Sequence, residues 1–179
     1  IYHSRYSFNM TMNLYSSKKE YRYNSMVIIL VPKRKGGILV GIVVACHGGL
    51  AEGFVDAVTL LTGRQKGLVG IGLMLGKSPI DFGEQIKEAI DSVNEGDGVL
   101  VLVDLFGGTP SNSAAQLIDR EDIRALAGVN LPMLISAIFE RSDASLDDLA
   151  EKAMASGALG LIDVRKKLLE AAAEEDDEF

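Results

Sequence analysis

The chain has 179 residues, of which 47% are hydrophobic and 24% charged, so it has the length for one well-buried core and the composition of a soluble globular protein. Its longest uncharged apolar stretches, residues 26–31 and 38–45, fall far short of the roughly 20 residues of a membrane-spanning helix, which excludes direct membrane insertion. Residues 36–179 carry eleven basic and twenty-four acidic side chains, and this net charge of −13 argues against nucleic-acid binding and favours a basic protein partner.

The first predicted segment is a leader over residues 1–35, which contains all five tyrosines and has neither helical nor strand periodicity. We interpret it as disordered or non-native, with Met26 as a possible natural start, and a regulatory arm is the alternative. Residues 33–37, KRKGG, mark the boundary with one domain over residues 36–163. The single cysteine, Cys46, and the absence of a cleavable signal peptide predict a cytoplasmic protein.

From residue 38 onward, apolar runs alternate with amphipathic segments, which is typical of crossover units that build a parallel sheet. Residues 38–45 form a β-branched-rich run that predicts a buried first strand. A helix follows, in which these apolar residues recur at helical spacing: Leu50, Phe54, Ala57, Val58 and Leu61. Gly63 is placed to end this helix, and residues 68–75 predict a second strand.

The second helix has a strong start signal, because Ser78 is a favoured N-cap and Pro79 and Asp81 suit the first turn. Its predicted buried face comprises five residues: Phe82, Ile86, Ala89, Ile90 and Val93. Residues 98–103 predict a third buried strand, and Thr109 and Pro110 begin the next helix. We expect three residues of that helix to pack inward: Ala114, Leu117 and Ile118.

The last elements are a fourth strand over residues 123–127 and two further helices. Asn130 begins the first of these, which runs through Phe139, and Ser145 begins the second, which ends near Gly157. Residues 164–179 are predicted to be an acidic, solvated C-terminal tail. The whole pattern predicts a three-layer, doubly wound α/β fold with helices on both faces of a mostly parallel sheet, in strand order 2-1-3-4.

The first segment that carries chemistry is residues 45–53, ACHGGLAEG, in which His47 lies between the first strand and its helix. Open α/β sheets bind ligands at such junctions, and the glycines, Gly48 above all, let backbone N–H groups approach an anion. Neutral imidazole exists near pH 7 and can attack phosphorus and pass the phosphoryl group onward. The segment therefore predicts a phosphoryl-accepting histidine that needs neither a metal nor a cofactor.

The second segment is residues 103–112, VDLFGGTPSN, again between a strand and a helix. If the first and third strands are neighbours, Asp104 faces the same crevice as His47 and can orient the imidazole ring through a hydrogen bond. Gly107, Gly108 and Thr109 would then donate hydrogen bonds to the phosphoryl oxygens.

Each of these residues also has a purely structural interpretation, as a turn glycine, a helix cap or a strand end. Their combination favours a site, because His47 is the only histidine of the domain and two glycine-rich junctions with one acid are hard to explain as turns alone. Cys46 faces the opposite way in an extended strand, which indicates a small core residue rather than a nucleophile.

At these positions the chain resembles the enzyme IIA domains of mannose-type (mannose/fructose/sorbose) phosphotransferase systems. The resemblance covers approximately residues 38–162 and rests on three motifs in order and spacing: residues 46–53, residues 104–112 and residues 127–134. It implies a homodimeric, cytoplasmic phosphotransferase component in which His47 takes phosphate from the carrier HPr and gives it to an enzyme IIB during sugar uptake. Asp104 matches the family's histidine-pairing acid, and the loop at Asn130 would border the same site.

The resemblance also carries expectations beyond the domain. The IIB partner would link it to the membrane subunits IIC and IID, and because no IIB domain follows in this sequence, we expect a free-standing subunit. One alternative is the related subunit that phosphorylates dihydroxyacetone kinase, although Gly107 and Thr109 with their neighbours resemble the sugar branch more. The other is a non-catalytic regulatory module of the same fold, which the presence of both His47 and Asp104 disfavours.

Overall fold

The structure is a computed structural model that describes residues 39–176. The predicted leader, residues 1–35, lies outside the described residues. Ten elements follow one another in the described part of the chain: β1 Gly41–His47, α1 Leu50–Thr62, β2 Leu68–Leu73, α2 Pro79–Val93, β3 Val99–Val103, α3 Thr109–Ala115, β4 Ile123–Ala127, α4 Leu131–Glu140, α5 Leu146–Leu159 and α6 Val164–Asp176.

The four strands form one parallel sheet in the order β2-β1-β3-β4, which confirms the predicted fold class and strand order. Val44 of β1 pairs with Gly70 of β2 on one side and Leu102 of β3 on the other. Since β1 and β3 are adjacent and parallel, the loops that follow them meet at the same edge of the sheet.

Side chains alternate across the sheet and so produce two cores, one on each face. Ile42, Val44 and Cys46 of β1 point into a core that is completed by residues of α1, α4 and α5. Val43 and Ala45 point into the other core, against residues of α2 and α3. All five of these β1 side chains are fully buried, as a central strand of a three-layer fold requires.

Helix α2 has the predicted start and buried face. The hydroxyl oxygen of Ser78 accepts hydrogen bonds from the backbone N–H of Ile80 at 3.2 Å and of Asp81 at 3.5 Å. Its buried residues are the five that the periodicity indicates: Phe82, Ile86, Ala89, Ile90 and Val93. This helix is therefore specified by its own local sequence.

The buried faces of α1 and α3 differ from the prediction. Leu50 and Leu61 of α1 are 46% exposed, whereas the helix buries Val58, which belongs to the predicted set, and Ala51, which does not. Helix α1 lies too close to β2 for large side chains at its first turn, because a Cβ at Gly70 would be 2.9 Å from the carbonyl oxygen of Ala51.

Helix α3 ends at Ala115, three residues before Ile118, which is 63% exposed. The expectation that Ile118 packs inward is therefore wrong, since its helical spacing does not extend beyond the helix.

Several boundaries also differ, and β2 ends at Leu73 rather than at residue 75. Strand β1 begins at Gly41 and continues to His47, because Cys46 and His47 still pair with Gly72 and Leu73 of β2. In the predicted acidic tail, residues 164–176 form helix α6. Among the helices that the structure describes, none has both the length and the apolar character needed to cross a membrane.

Candidate active site

His47 is the last residue of β1, at the edge of the sheet where the strands end. Its side chain is 46% exposed, in contrast to the fully buried residues that precede it in the strand. Asp104 directly follows β3, the neighbouring strand, and its side chain is 14% exposed. The strand order therefore brings together two residues that are 57 positions apart in the chain.

The Asp104 carboxylate accepts three hydrogen bonds, two of them from His47. Its Oδ2 atom accepts from the backbone N–H of His47 at 2.9 Å and contacts Nδ1 of the same residue at 2.9 Å. Its Oδ1 atom accepts from the backbone N–H of Leu105 at 2.9 Å. Both oxygens are thus fixed by backbone donors, and the carboxylate cannot rotate without losing one of them.

These hydrogen bonds determine the charge of Asp104 and the tautomer of the neutral His47 ring. Burial by itself would raise the pKa of Asp104, but the hydrogen bonds from the backbone and ring of His47 and from Leu105 outweigh it and hold this pKa below its usual range. The carboxylate is then ionised at neutral pH and only accepts hydrogen bonds, so Nδ1 of His47 must carry the proton. The neutral ring therefore has its lone pair on Nε2.

Gly108 lies beside Cε1 of the ring, the carbon between its two nitrogens. A Cβ built there would be 2.9 Å from Cε1 and 3.5 Å from Nε2 of His47, so any side chain would collide with the imidazole. The absence of a side chain leaves room for the ring and for a group bound to Nε2. The N–H of Gly108, which the sequence suggests as a phosphate donor, instead donates to the carbonyl oxygen of Leu105 at 3.3 Å.

The backbone donors near His47 are not equivalent. The N–H of Gly48 donates to the carbonyl oxygen of Leu73 at 2.9 Å, so this amide is not free to bind phosphate as the sequence suggests. In the described part of the chain, no carbonyl accepts the N–H of Gly107 or of Thr109. Gly107 has a φ of 80°, a left-handed conformation that glycine adopts without strain. The loop after β3 therefore offers two backbone N–H groups to an anion.

Cys46 is next to His47 in sequence but belongs to the core. It is fully buried on the face of the sheet covered by α1, α4 and α5. Burial, followed by the nearby charge of Asp104, raises the pKa of its thiol to about 12. A neutral, inaccessible thiol is not a nucleophile, which agrees with the interpretation of Cys46 as a core residue.

The loop after β4 has a structural role at Asn130. Its side-chain oxygen accepts the N–H of Met133 at 3.0 Å and caps α4, while its amide nitrogen donates to the carbonyl oxygen of Gly157 in α5 at 3.0 Å. Asn130 therefore joins two helices at the edge of the sheet that carries His47, and it makes no hydrogen bond to His47 or Asp104.

The sequence interpretation missed an apolar rim around His47. Four residues form this rim: Met74, Leu75, Leu105 and Phe106, all more than half exposed. The first two follow β2 and the last two follow Asp104, so they flank His47 on both sides. The sequence did contain a signal for this rim, because Leu105 and Phe106 directly precede the glycines at positions 107 and 108, and large apolar residues are unusual in a solvated turn. Exposed apolar surface next to a polar site is typical of protein docking.

One protein-family model matches most of this domain. The family described as PTS system fructose IIA component matches residues 41–154, which is more than half of the chain. The match includes β1, β3 and both loops of the site.

Individual proteins similar to this chain are also PTS components. The mannose-specific EIIAB component of the PTS system of Escherichia coli (strain K12) is 32% identical over 136 residues, which are 75% of this chain and 42% of that protein. The fructose-specific EIIA component of Bacillus subtilis (strain 168) is 32% identical over 113 residues, which are 62% of this chain and 77% of that protein. The chain thus spans less than half the length of the Escherichia coli relative.

A solved structure shows the same architecture. The crystal structure of phosphotransferase system component EIIA from Streptococcus agalactiae has a TM-score of 0.67 and 31% identity, covering 72% of this chain and 99% of that one. With the fold, the three motifs and the family match in agreement, the chain belongs to the EIIA family of mannose/fructose/sorbose phosphotransferase systems.

Proposed function

We propose that this domain is a phosphohistidine carrier that accepts a phosphoryl group from HPr on Nε2 of His47 and passes it to an enzyme IIB during sugar uptake. The observation that carries this proposal is the 2.9 Å contact between Nδ1 of His47 and Oδ2 of Asp104. It leaves Nε2 of the neutral ring unprotonated, and the neighbouring Gly108 has no side chain to crowd the ring. That is the arrangement a nucleophilic imidazole needs.

The transfer is a displacement at phosphorus. The Nε2 lone pair forms the new N–P bond while the bond between phosphorus and the donor histidine breaks, and the ring of His47 gains positive charge. The ionised carboxylate of Asp104 stabilises that charge through Nδ1–H. Transfer onward reverses these changes. We expect the N–H groups of Gly107 and Thr109, which no carbonyl in the described part of the chain accepts, to donate to the phosphoryl oxygens as negative charge develops on them.

The apolar rim favours a protein as the phosphoryl donor and acceptor. A small phosphorylated metabolite does not need four exposed apolar side chains around the reactive nitrogen, whereas a docking protein buries them. The name of the Escherichia coli relative joins an A and a B component, which supports a IIB acceptor. We expect this acceptor to connect the cytoplasmic domain with the membrane subunits IIC and IID.

A homodimer is part of the same proposal. Four apolar residues between the end of α5 and the start of α6 are more than half exposed: Leu159, Leu161, Ile162 and Val164. Strand β4 pairs only with β3 among the described strands, so one edge of the sheet is also open nearby. Analytical ultracentrifugation tests this expectation, and a monomer at micromolar concentration contradicts it.

Reconstitution tests the carrier function. The protein is incubated with phosphoenolpyruvate, enzyme I and HPr, and its mass is then measured. We expect one phosphoryl group that is stable in alkali and labile in acid, on the peptide that contains His47. No phosphorylation, or phosphorylation elsewhere, contradicts the proposal.

A second experiment separates docking from chemistry. Phe106→Ser removes the more exposed of the two large apolar residues in the loop after β3, and it should slow phosphorylation by phosphorylated HPr while leaving phosphorylation by the small donor phosphoramidate unchanged. Ile118→Ser is the matched control, because Ile118 is 63% exposed but follows the far end of α3. Equal slowing by both variants would show that the rim has no specific role.

A further inference from the structure

Gly72 lies in β2 beside the active site, yet its backbone does not require glycine. It pairs with Cys46 in a regular parallel ladder, and it is not among the glycines with positive φ. Any residue can adopt this strand conformation, so another property of glycine must be needed at this position. The surroundings of its Cα show that this property is space.

The carbonyl oxygen of Gly48 occupies the place of a side chain at position 72. A Cβ built on Gly72 would be 2.2 Å from that oxygen, and 3.0 and 3.1 Å from the two carboxylate oxygens of Glu52. The Glu52 side chain can rotate away, whereas the Gly48 oxygen belongs to the backbone. To reach ordinary van der Waals contact, the Gly48 peptide would have to move by more than about 1 Å.

The turn that would move is the one that presents His47. Gly48 is bonded directly to His47, and its N–H donates to the carbonyl oxygen of Leu73, the neighbour of Gly72. Gly48 also has a φ of 55°, a left-handed conformation that glycine adopts without strain. On the other side, Asp104 holds both the N–H and the ring of His47. The imidazole is therefore positioned between the end of β2 and Asp104.

We propose that Gly72 is a positioning residue for phosphoryl transfer: by lacking a side chain, it lets the Gly48 peptide seat against β2 and so sets the position of the His47 ring relative to Asp104 and Gly108. This inference rests on the proposed function. Phosphoryl transfer depends on the in-line placement of the attacking nitrogen, so a displacement of about 1 Å has a large effect on its rate.

The test is Gly72→Ala, measured in two ways. NMR of the imidazole reports the Nδ1 proton held by Asp104, and phosphorylation by phosphoramidate reports the reactivity of Nε2 without a docking partner. We expect the Nδ1 proton resonance to shift or broaden and the rate to fall on the order of 10 to 100-fold. A variant with the wild-type resonance and the wild-type rate overturns the proposal.

Three control variants locate the effect. Gly53→Ala adds a methyl group in α1 where, apart from the nearby backbone of the helix itself, no atom lies within 4 Å, and it should change neither readout. Gly70→Ala crowds the same helix at the carbonyl oxygen of Ala51, 2.9 Å away, without touching the Gly48 peptide, and it should affect the ring less than Gly72→Ala. Glu52→Ala combined with Gly72→Ala should not restore the rate, and full restoration would overturn the proposal by assigning the effect to the carboxylate.

Folding is measured first by urea denaturation. If Gly72→Ala alone is unfolded, both readouts are taken on the Gly53→Ala/Gly72→Ala variant in sucrose, because alanine favours the helix and sucrose favours the compact state. A wild-type protein that accepts no phosphate at all would refute the proposed function, and the NMR comparison would still decide whether Gly72 positions the ring. Normal wild-type phosphorylation with an unaffected Gly72→Ala variant refutes only the positioning role.

Discussion

His47 contributes a ring to the site and little to the core, which leads to a first prediction. Its side chain is 46% exposed, and the backbone N–H that bonds to Asp104 is present whatever the side chain is. His47→Ala should therefore abolish phosphorylation and change the free energy of unfolding by less than about 1 kcal/mol. Phosphotransfer assays and urea denaturation measure the two effects. Cys46→Ala is the control and should retain phosphorylation, and any phosphate on the domain of His47→Ala contradicts the central role of His47.

Asp104 needs two acceptor oxygens, and an amide offers only one. In Asp104→Asn, an amide oxygen that faces His47 leaves the NH2 group against the N–H of Leu105, and the reverse orientation places NH2 against the N–H of His47. The reverse orientation also favours the tautomer in which Nε2 is protonated. We expect phosphorylation to slow on the order of 10 to 10³-fold with His47 still the acceptor. A wild-type rate would show that the loop after β3 is only a turn.

The same carboxylate predicts a pH dependence of stability. Because the pKa of Asp104 is lowered in the folded protein, its stabilising effect is fully present above the pKa of the unfolded chain, near pH 4, and is lost as the pH falls through the folded value. The difference in free energy of unfolding between wild type and Asp104→Asn should thus be largest at neutral pH and shrink in acid. Urea curves at pH 7, 4 and 3 measure it. A difference that stays constant with pH would contradict the proposed charge of Asp104.

At the scale of elements, the start of α2 tests whether a helix is stabilised by the cap residue in its own sequence. Ser78→Ala removes the acceptor for the N–H groups of Ile80 and Asp81 and should reduce stability by about 1 kcal/mol. Ser92→Ala is a matched control in the same helix, since Ser92 donates to the carbonyl oxygen of Ala89 and caps nothing. Thermal and urea unfolding compare the two variants. Equal losses would mean that the cap is not what Ser78 contributes.

At the scale of the whole molecule, the net charge of −13 over residues 36–179 predicts salt-sensitive association. An acidic domain attracts a basic partner over long range, and added salt screens this attraction. Phosphotransfer from phosphorylated HPr at limiting concentration should slow on the order of 10-fold between low and high ionic strength. Stopped-flow or quench-flow kinetics measure the rates, with circular dichroism to verify an unchanged fold. A rate that does not depend on salt would exclude electrostatic steering.

Much of this protein follows from its sequence, because the signals involved are local. Alternating apolar runs define the strands, and Ser78 with Pro79 defines the start of α2 and hence its buried face. The glycine-rich junctions after β1 and β3 indicate His47 and Asp104 as a pair, since neighbouring parallel strands end at one edge. The three motifs within residues 46–134 predict the family that the comparisons then show.

The tertiary structure decided what depends on distances between segments that are remote in the chain. Only the packing of α1 on β2 shows that Leu50 is exposed and Ala51 is buried. Only the meeting of β2 with the turn after β1 shows that the N–H of Gly48 is occupied by Leu73 and that Gly72 must lack a side chain. A glycine in a strand is compatible with several roles, and the sequence around Gly72 does not identify the backbone carbonyl that excludes a side chain there, because that carbonyl belongs to another segment of the chain.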